Sequence, residues 1–126
     1  MSTKQTLHFG GGAWSSAYYI GVIRGLQEQY GNDVYKYYKI SGDSVGAVLA
    51  AGLVLGFSWK ELQQQYSTLS TLARKNGVWN GKMTEYHEQM LDSLLCNENH
   101  LEKLQSRGFS MGVTSLFSKY KNMING

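Results

Sequence analysis

The sequence predicts an α/β fold in which helices pack on a parallel sheet. Two observations predict it. First, segments of strand and helix character alternate over the first half of the chain, in the order strand, helix, strand, helix. That order is typical of parallel sheets, because each helix carries the chain back to the start of the next strand. Second, glycine-rich turns at residues 10–12 and 42–46 follow the two predicted strands, and α/β proteins build their sites at such turns.

The composition fits one globular domain. The chain has 126 residues, of which 42% are hydrophobic and 17% charged, whereas disordered chains lack this apolar content. A single cysteine excludes a disulfide framework and a cysteine-based zinc site. We therefore expect residues 1–126 to form one domain. We also expect this domain to be part of a larger one, because the last predicted strand lacks a partner strand.

The charge pattern argues against a nucleic-acid partner. The net charge is only +3 and the 12 basic residues are scattered, whereas nucleic-acid domains gather them on one face. No apolar segment follows the N-terminal residues 1–6, and the apolar run at 47–55 is much shorter than the roughly 20 residues of a membrane-spanning helix. These features predict a cytoplasmic protein, and they leave open a weak preference for anionic membrane surfaces.

The first strand and helix follow from short-range patterns. Residues 6–9 are predicted to form a short strand that stops at the glycines. The spacing of apolar residues predicts a helix over 15–30, and its one apolar face comprises Tyr19, Val22, Ile23, Leu26 and Tyr30. Gly21 and Gly25 lie inside this helix, where we expect them to permit close packing on the sheet.

The second strand and helix are predicted over residues 34–40 and 44–55. The strand is rich in aromatic and β-branched residues and ends at Ser41-Gly42. The helix is apolar nearly all round, which indicates burial on several sides.

The second half of the chain is predicted to be mainly helical. Ser58 and Glu61 have the spacing of a capping box that begins a helix, and Asn99 with Glu102 repeats the pattern. Arg107-Gly108 is typical of a helix end. Residues 109–117 alternate as in a strand, and the turn that follows needs a partner strand. The sheet is therefore expected to be truncated before its last strands.

The motif with the strongest chemical implication is Gly42-Asp43-Ser44-Val45-Gly46, which matches G-x-S-x-G between a predicted strand and a predicted helix. A nucleophilic serine has to project from a sharp turn, so the flanking residues are small. The helix that follows directs its N-terminal amides toward developing negative charge. The alternative is a glycine-rich turn in which Ser44 only caps the helix.

The turn at Gly10, Gly11 and Gly12 is the second motif. Consecutive glycines leave backbone N–H groups free to bind an anion, as the oxyanion of acyl transfer requires. A dinucleotide-binding loop is a poorer interpretation, because Ser15 stands where the last glycine of G-x-G-x-x-G should be.

Three segments together resemble the patatin-like phospholipase family. They are residues 7–14 (LHFGGGAW), 18–22 (YYIGV) and 40–47 (ISGDSVGA), and the resemblance is specific over residues 6–60 and looser to about residue 117. The sequence is most similar to the branch that contains adiponutrin and adipose triglyceride lipase. The resemblance implies a three-layer α/β/α fold with a mainly parallel sheet.

The resemblance also implies a lipid acyl hydrolase that uses a Ser–Asp dyad, no cofactor, and a lipid ester substrate at a membrane or lipid-droplet surface. Ser44 matches the nucleophile, and Gly10, Gly11 and Gly12 match the oxyanion loop. The family's aspartate precedes a glycine, and none of the three aspartates here does. The chain alone is therefore expected to have little activity, since an alcohol nucleophile needs a base.

Three alternatives stay open. One is a non-catalytic protein of the same fold that binds lipid surfaces or another partner. Another is a nucleotide- or phosphate-binding α/β domain that uses the glycine-rich loop. The third is a conventional triad of Ser44, Asp92 and His100, whose order mimics that of α/β-hydrolases. The triad is disfavoured because Asp92 and His100 lie in predicted helices, not in loops after strands.

Overall fold

A computed structural model describes residues 4–10, 16–43, 45–76 and 83–111. Short strands and longer helices alternate along this part of the chain. In chain order the elements are β1 (Gln5–Phe9), α1 (Ser16–Tyr30), a single 3-10 turn (Val34–Lys36), β2 (Tyr38–Gly42), α2 (Val45–Leu55), α3 (Trp59–Asn76), α4 (Met83–Leu95), α5 (Glu98–Ser106) and β3 (Ser110–Met111).

The strands of the described residues form one parallel sheet in the order β1-β2-β3. Leu7 pairs with Ile40 and Phe9 with Gly42, and Gly42 pairs in turn with Met111 of β3. The α/β class with a parallel sheet is therefore confirmed. The sequence predicted the third strand over 109–117, of which β3 occupies two residues, and residues 112–126 lie outside the described part.

The described helices cover one face of this sheet. Phe9 and Ile40 point to that face and are buried, and the Phe9 ring meets the Tyr19 ring of α1 edge-on, with centroids 5.2 Å apart. Two right-handed crossovers in the same direction place their helices on the same face, so α1 and α2 lie side by side there. Among the described residues, His8 and Lys39 on the opposite face are exposed.

Helix α2 forms the centre of the core. It contacts β1, β2, α1, α4 and α5, and all its residues from 46 to 54 are buried. Helix α3 approaches it closely, because a Cβ at Gly52 would lie 2.6 Å from Leu62 Cδ2. This position explains why the sequence of α2 is apolar all round, and it fixes the N-terminus of α2 against the sheet.

Residues 34–36 form a 3-10 turn, so the prediction of a strand from residue 34 was wrong. The Lys36 N–H donates to the Asp33 carbonyl over 3.0 Å, and Lys36 Nζ lies 3.4 Å from the Asp33 carboxylate. Val34 is fully buried, so its β-branched side chain serves the core from a turn. Strand β2 therefore begins at Tyr38 and extends two residues beyond the predicted end.

Two other local expectations are corrected. The N-cap of α5 is Asn97, whose Oδ1 accepts from the Asn99 N–H over 3.0 Å, and so the helix begins before the predicted cap at Asn99. Gly21 and Gly25 are exposed, with nothing within 4 Å of an added Cβ. These glycines do not mediate close packing.

The capping box at the start of α3 is confirmed. The Ser58 N–H donates to Glu61 Oε2 over 3.0 Å and the Glu61 N–H donates to Ser58 Oγ over 3.3 Å. Buried Gln27 of α1 ties the same loop down, since its side chain donates to the Phe57 carbonyl over 2.8 Å and accepts from the Trp59 N–H over 2.9 Å. The end of α5 at Arg107, followed by Gly108 with φ +77°, is also as predicted.

Candidate active site

The two glycine-rich turns meet at the carboxyl edge of the sheet. Strand β1 ends at Phe9 and strand β2 ends at Gly42, and these two residues are direct partners in the parallel register. The turns that follow them are therefore neighbours. This edge is where ligands bind in α/β sheets, because the helices begin there and direct their N–H groups toward it.

The predicted site residues divide into those that the structure describes and those that it does not. Gly10, Gly42, Asp43 and Gly46 are described, as is the backbone of Val45. Ser44, Gly11 and Gly12 lie outside the described residues. The arrangement of the turn is therefore defined by the residues on either side of Ser44.

Gly46 brings the first turn of α2 into direct contact with the end of β1. A Cβ built on Gly46 would lie 2.5 Å from the Gly10 carbonyl oxygen and 2.6 Å from the Phe9 carbonyl carbon, and closer still to the Phe9 oxygen. All three neighbours are backbone atoms, which cannot rotate away. Only glycine fits here, and its absent side chain lets α2 begin directly beside Phe9 and Gly10.

Gly42 makes the other close approach of the motif. A Cβ at this position would lie 2.6 Å from Ala47 Cα and 2.8 Å from the Ala47 nitrogen, so the chain folds tightly from β2 into α2. A turn this sharp is what a G-x-S-x-G motif requires in order to project its central residue. Both positions of the motif thus require glycine for steric reasons. A Cβ at Gly42 would clash within the turn itself, and a Cβ at Gly46 would clash with the end of β1.

Asp43 is attached to β1 through its backbone. Its N–H donates to the Phe9 carbonyl over 2.9 Å, which continues the ladder one residue past the end of β2. Its carboxylate oxygen Oδ2 lies 3.5 Å from His8 Nε2. The other oxygen, Oδ1, is buried and has no hydrogen-bond partner within the described residues.

His8 and Ser41 are members of the site that the sequence argument did not identify. His8 Nδ1 and Ser41 Oγ are 2.8 Å apart, and the two residues are partners in the parallel register. Taken alone, a single histidine in a short strand indicates only a packed or solvent-facing side chain. Strand alternation places Ser41 and Asp43 on one face of the sheet, but only the register of β1 against β2 adds His8 to that face.

An aromatic residue of α1 lies next to Gly10. The Tyr19 hydroxyl lies 3.4 Å from where a Gly10 Cβ would stand, and the ring of Tyr18 meets that of Tyr19 with centroids 5.8 Å apart. Tyr18 is 71% exposed. An exposed tyrosine is therefore present on the first turn of α1, against the tyrosine that approaches Gly10.

The Nδ1 atom of His100 is hydrogen-bonded to the backbone between two helices and not to a member of the alternative triad. Its Nδ1 donates to the Leu94 carbonyl over 2.9 Å at the junction of α4 and α5, and its ring lies edge-on to Phe57. Asp92 is in α4, so both residues lie in helices, as the sequence argument assumed when it disfavoured the triad. In the parts of the chain that the structure describes, no cluster of His, Cys, Asp and Glu could hold a metal ion.

The fold and the edge of the sheet define a class of protein. It is an α/β protein with a glycine-rich turn after its first strand and a tight G-x-S-x-G turn, closed by glycine contacts, after its second. Serine hydrolases on α/β folds use this strand–turn–helix arrangement.

The chain belongs to the patatin-like phospholipase family, whose family model matches residues 7–121. A protein of Caenorhabditis elegans named intracellular phospholipase A2 is 33% identical over 86 residues, which cover 68% of this chain and 8% of that protein. The matched segment is thus a small part of the relative. No solved structure matches the chain significantly. No helix among the described residues is long and apolar enough to cross a membrane.

Proposed function

We propose that this chain carries the nucleophile and the oxyanion loop of a lipid acyl hydrolase. Ser44 is the nucleophile, and the backbone N–H groups of Gly10, Gly11 and Gly12 hold the oxyanion. The observation that carries the proposal is the close approach of Gly46 to Phe9 and Gly10. It brings the start of α2, which follows Ser44 in the sequence, against Gly10, the first glycine of the loop.

The proposed reaction has two steps. The Ser44 hydroxyl oxygen attacks the ester carbonyl carbon while a base takes its proton, and the tetrahedral oxyanion accepts hydrogen bonds from the loop. The carbon–oxygen bond to the leaving alcohol then breaks, and the alcohol takes the proton. Water next attacks the acyl-serine ester, which releases the fatty acid and restores the hydroxyl.

The sequence lacks the catalytic base in the form that the family uses, which is an aspartate followed by a glycine. The sequence contains Asp33, Asp43 and Asp92, and none precedes a glycine as the family's dyad aspartate does. Asp43 adjoins Ser44, but its carboxylate faces His8. We therefore propose that the chain by itself turns over esters slowly or not at all, and that the dyad needs an aspartate from outside this sequence.

The proposed substrate is a glycerolipid ester at a lipid surface, with the protein in the cytoplasm and in peripheral contact with a membrane or lipid droplet. The exposed ring of Tyr18 supports this, because tyrosine suits a boundary between apolar and aqueous phases. The assignment to the branch of adiponutrin and adipose triglyceride lipase belongs to the same proposal and is supported by residues 40–47.

A serine-reactive fluorophosphonate tests the nucleophile. The probe is incubated with the full chain, and the adduct is measured by intact mass for the wild type, Ser44→Ala and Ser110→Ala. Ser110 is the matched control, since it lies on β3 opposite Ser41 at the same edge of the sheet. We expect slow labelling of one serine in the wild type and in Ser110→Ala, and none in Ser44→Ala.

The outcomes separate the two parts of the proposal. Labelling that persists in Ser44→Ala, or a folded wild type that never labels, would overturn Ser44 as the nucleophile. Hydrolysis of a short-chain ester is measured in parallel, and we expect a rate close to that of buffer. Rapid hydrolysis that disappears in Ser44→Ala would refute the proposal that the base is missing.

A non-catalytic lipid-binding protein is the second candidate, favoured by the exposed ring of Tyr18 and by a sequence without the family's aspartate. Sedimentation with anionic phospholipid vesicles tests it. We expect binding to be equal in the wild type and Ser44→Ala and weaker in Tyr18→Ser. Vesicle binding without any labelling of Ser44 would favour this candidate over the hydrolase.

A further inference from the structure

We propose that His8 is a positioning residue that fixes Asp43, and with it the turn that presents Ser44. His8, Ser41 and Asp43 form a polar cluster, here called the clasp, on the face of the sheet opposite the described helices. The clasp is inferred from contacts in the structure alone, whereas its effect on Ser44 rests on the function proposed above. The experiment below distinguishes failure of one from failure of the other.

The register of the sheet creates the clasp. His8 and Ser41 are directly paired in neighbouring parallel strands, so their side chains leave the sheet on the same side. Asp43 is two residues beyond Ser41 and returns to that side. The imidazole lies between the two, with Nδ1 2.8 Å from Ser41 Oγ and Nε2 3.5 Å from Asp43 Oδ2.

The chemistry of the three groups fixes the proton on the imidazole. An ionised carboxylate only accepts hydrogen bonds, so the nitrogen that faces Asp43 has to carry a proton. Nε2 is that nitrogen. In neutral His8 the remaining nitrogen, Nδ1, then accepts from the Ser41 hydroxyl, which can rotate to donate. The clasp therefore selects the Nε2–H tautomer of His8.

Asp43 is held by two consecutive residues of β1. Phe9 accepts the hydrogen bond from its backbone N–H, and His8 faces its carboxylate. Because Oδ1 is buried and has no hydrogen bond within the described residues, His8 is the polar side chain that the structure shows beside this carboxylate. Both tethers act on the residue that immediately precedes Ser44, so loss of His8 leaves the turn held on one side by its backbone bond alone.

Four variants of the full chain test the clasp. His8→Phe keeps a ring and removes both nitrogens. His8→Gln retains an N–H donor near the position of Nε2, whereas His8→Asn is too short to reach Asp43. Thr6→Val is the matched control, because Thr6 is exposed on the same face of the same strand.

The first measurement is hydrogen exchange of the Asp43 backbone amide, compared with that of Ile40 in β2. The contact between Nε2 and the carboxylate is 3.5 Å long, so we assign it the net value of an ordinary hydrogen bond, whose loss corresponds to roughly a three- to tenfold change. We expect exchange at Asp43 to accelerate by that factor in His8→Phe and His8→Asn. Exchange in His8→Gln and Thr6→Val should stay near the wild type, and exchange at Ile40 should change in none of them.

The second measurement is the rate at which fluorophosphonate labels Ser44. We expect this rate to fall in His8→Phe and His8→Asn and to stay near that of the wild type in His8→Gln and Thr6→Val. Equal exchange at Asp43 in His8→Phe and Thr6→Val would overturn the clasp whatever the labelling shows. Faster exchange with an unchanged labelling rate would overturn the positioning role. A wild type that never labels would refute the proposed function, while the exchange data would still decide whether His8 fixes Asp43.

If His8→Phe does not fold, the comparison of His8→Gln with His8→Asn decides. Nitrogen chemical shifts of the His8 ring provide a check on the wild type. At a pH where His8 is neutral they should report a proton on Nε2, and a proton on Nδ1 would contradict the clasp.

Discussion

The substitution Gly46→Ala tests the reasoning about the edge of the sheet. Gly46 lies in the first turn of α2, against the backbone at the end of β1. The added methyl would stand 2.5 Å from the Gly10 carbonyl oxygen, whereas ordinary van der Waals contact begins at 3.4 Å. The obstructing atoms belong to the backbone, and the Phe9 oxygen is closer still, so β1 and α2 would have to separate by more than about 0.9 Å.

The cost follows from what that separation breaks. Forcing an extra methyl into a packed site costs about 1–3 kcal/mol. The same movement stretches the 2.9 Å bond from the Asp43 N–H to the Phe9 carbonyl, which contributes about 1 kcal/mol. We therefore expect Gly46→Ala to lower the free energy of unfolding by about 2–4 kcal/mol, a large part of the 5–15 kcal/mol typical of a domain.

Urea unfolding measures this difference, with Gly21→Ala as the control. Gly21 is also a helical glycine, but it is exposed and has nothing within 4 Å of an added Cβ. Alanine there should stabilise the protein by about 0.5–1 kcal/mol, because it favours the helix. If Gly46→Ala unfolds within about 0.5 kcal/mol of the wild type, a limit below the expected overpacking cost, the close approach of α2 to β1 is wrong.

Three further predictions concern other parts of the fold. Ser58→Ala should lower the free energy of unfolding by about 1 kcal/mol, because it removes the cap of α3, and Ser67→Ala in the exposed middle of that helix is the control for thermal melting. Gln27→Leu should cost about 2–4 kcal/mol in urea, since it leaves two backbone groups of the loop before α3 without their partner; an effect no larger than that of exposed Gln29→Leu would contradict the assigned bonds. Burial raises the pKa of Tyr66 well above its usual 10.0. As the pH rises, Tyr66 therefore ionises first in the unfolded chain, so the free energy of unfolding should decline above pH 10. Tyr66→Phe should weaken this decline in urea titrations at alkaline pH. An unchanged dependence of the free energy of unfolding on pH would refute the assigned burial effect.

Local patterns were sufficient for the helices and for the class of fold. The apolar spacing from Tyr19 to Tyr30 predicted α1, and Ser58 with Glu61 predicted the start of α3, because these signals depend on residues within one or two turns of each other. The same kind of signal failed at residues 34–36. There β-branched and aromatic residues favoured a strand, but burial of Val34 among the helices is satisfied by a turn.

The candidate site was predictable as a pair of motifs and not as a geometry. The sequence placed Gly10 and Gly42 after strands, which predicted that their turns would be neighbours. It could not show that Gly46 touches Phe9 and Gly10 at the end of β1, because these contacts join residues 37 and 36 positions apart in the chain.

The clasp also separates what the sequence predicted from what the tertiary structure decided. The sequence by itself determined an α/β protein with two glycine-rich turns and a serine motif, since turn chemistry and periodicity are local properties. Only the tertiary structure decided that His8 faces Asp43 across the sheet, because the register of β1 against β2 sets which side chains meet. One residue of slip would turn His8 to the opposite face relative to Ser41, and no local feature of either strand specifies that register.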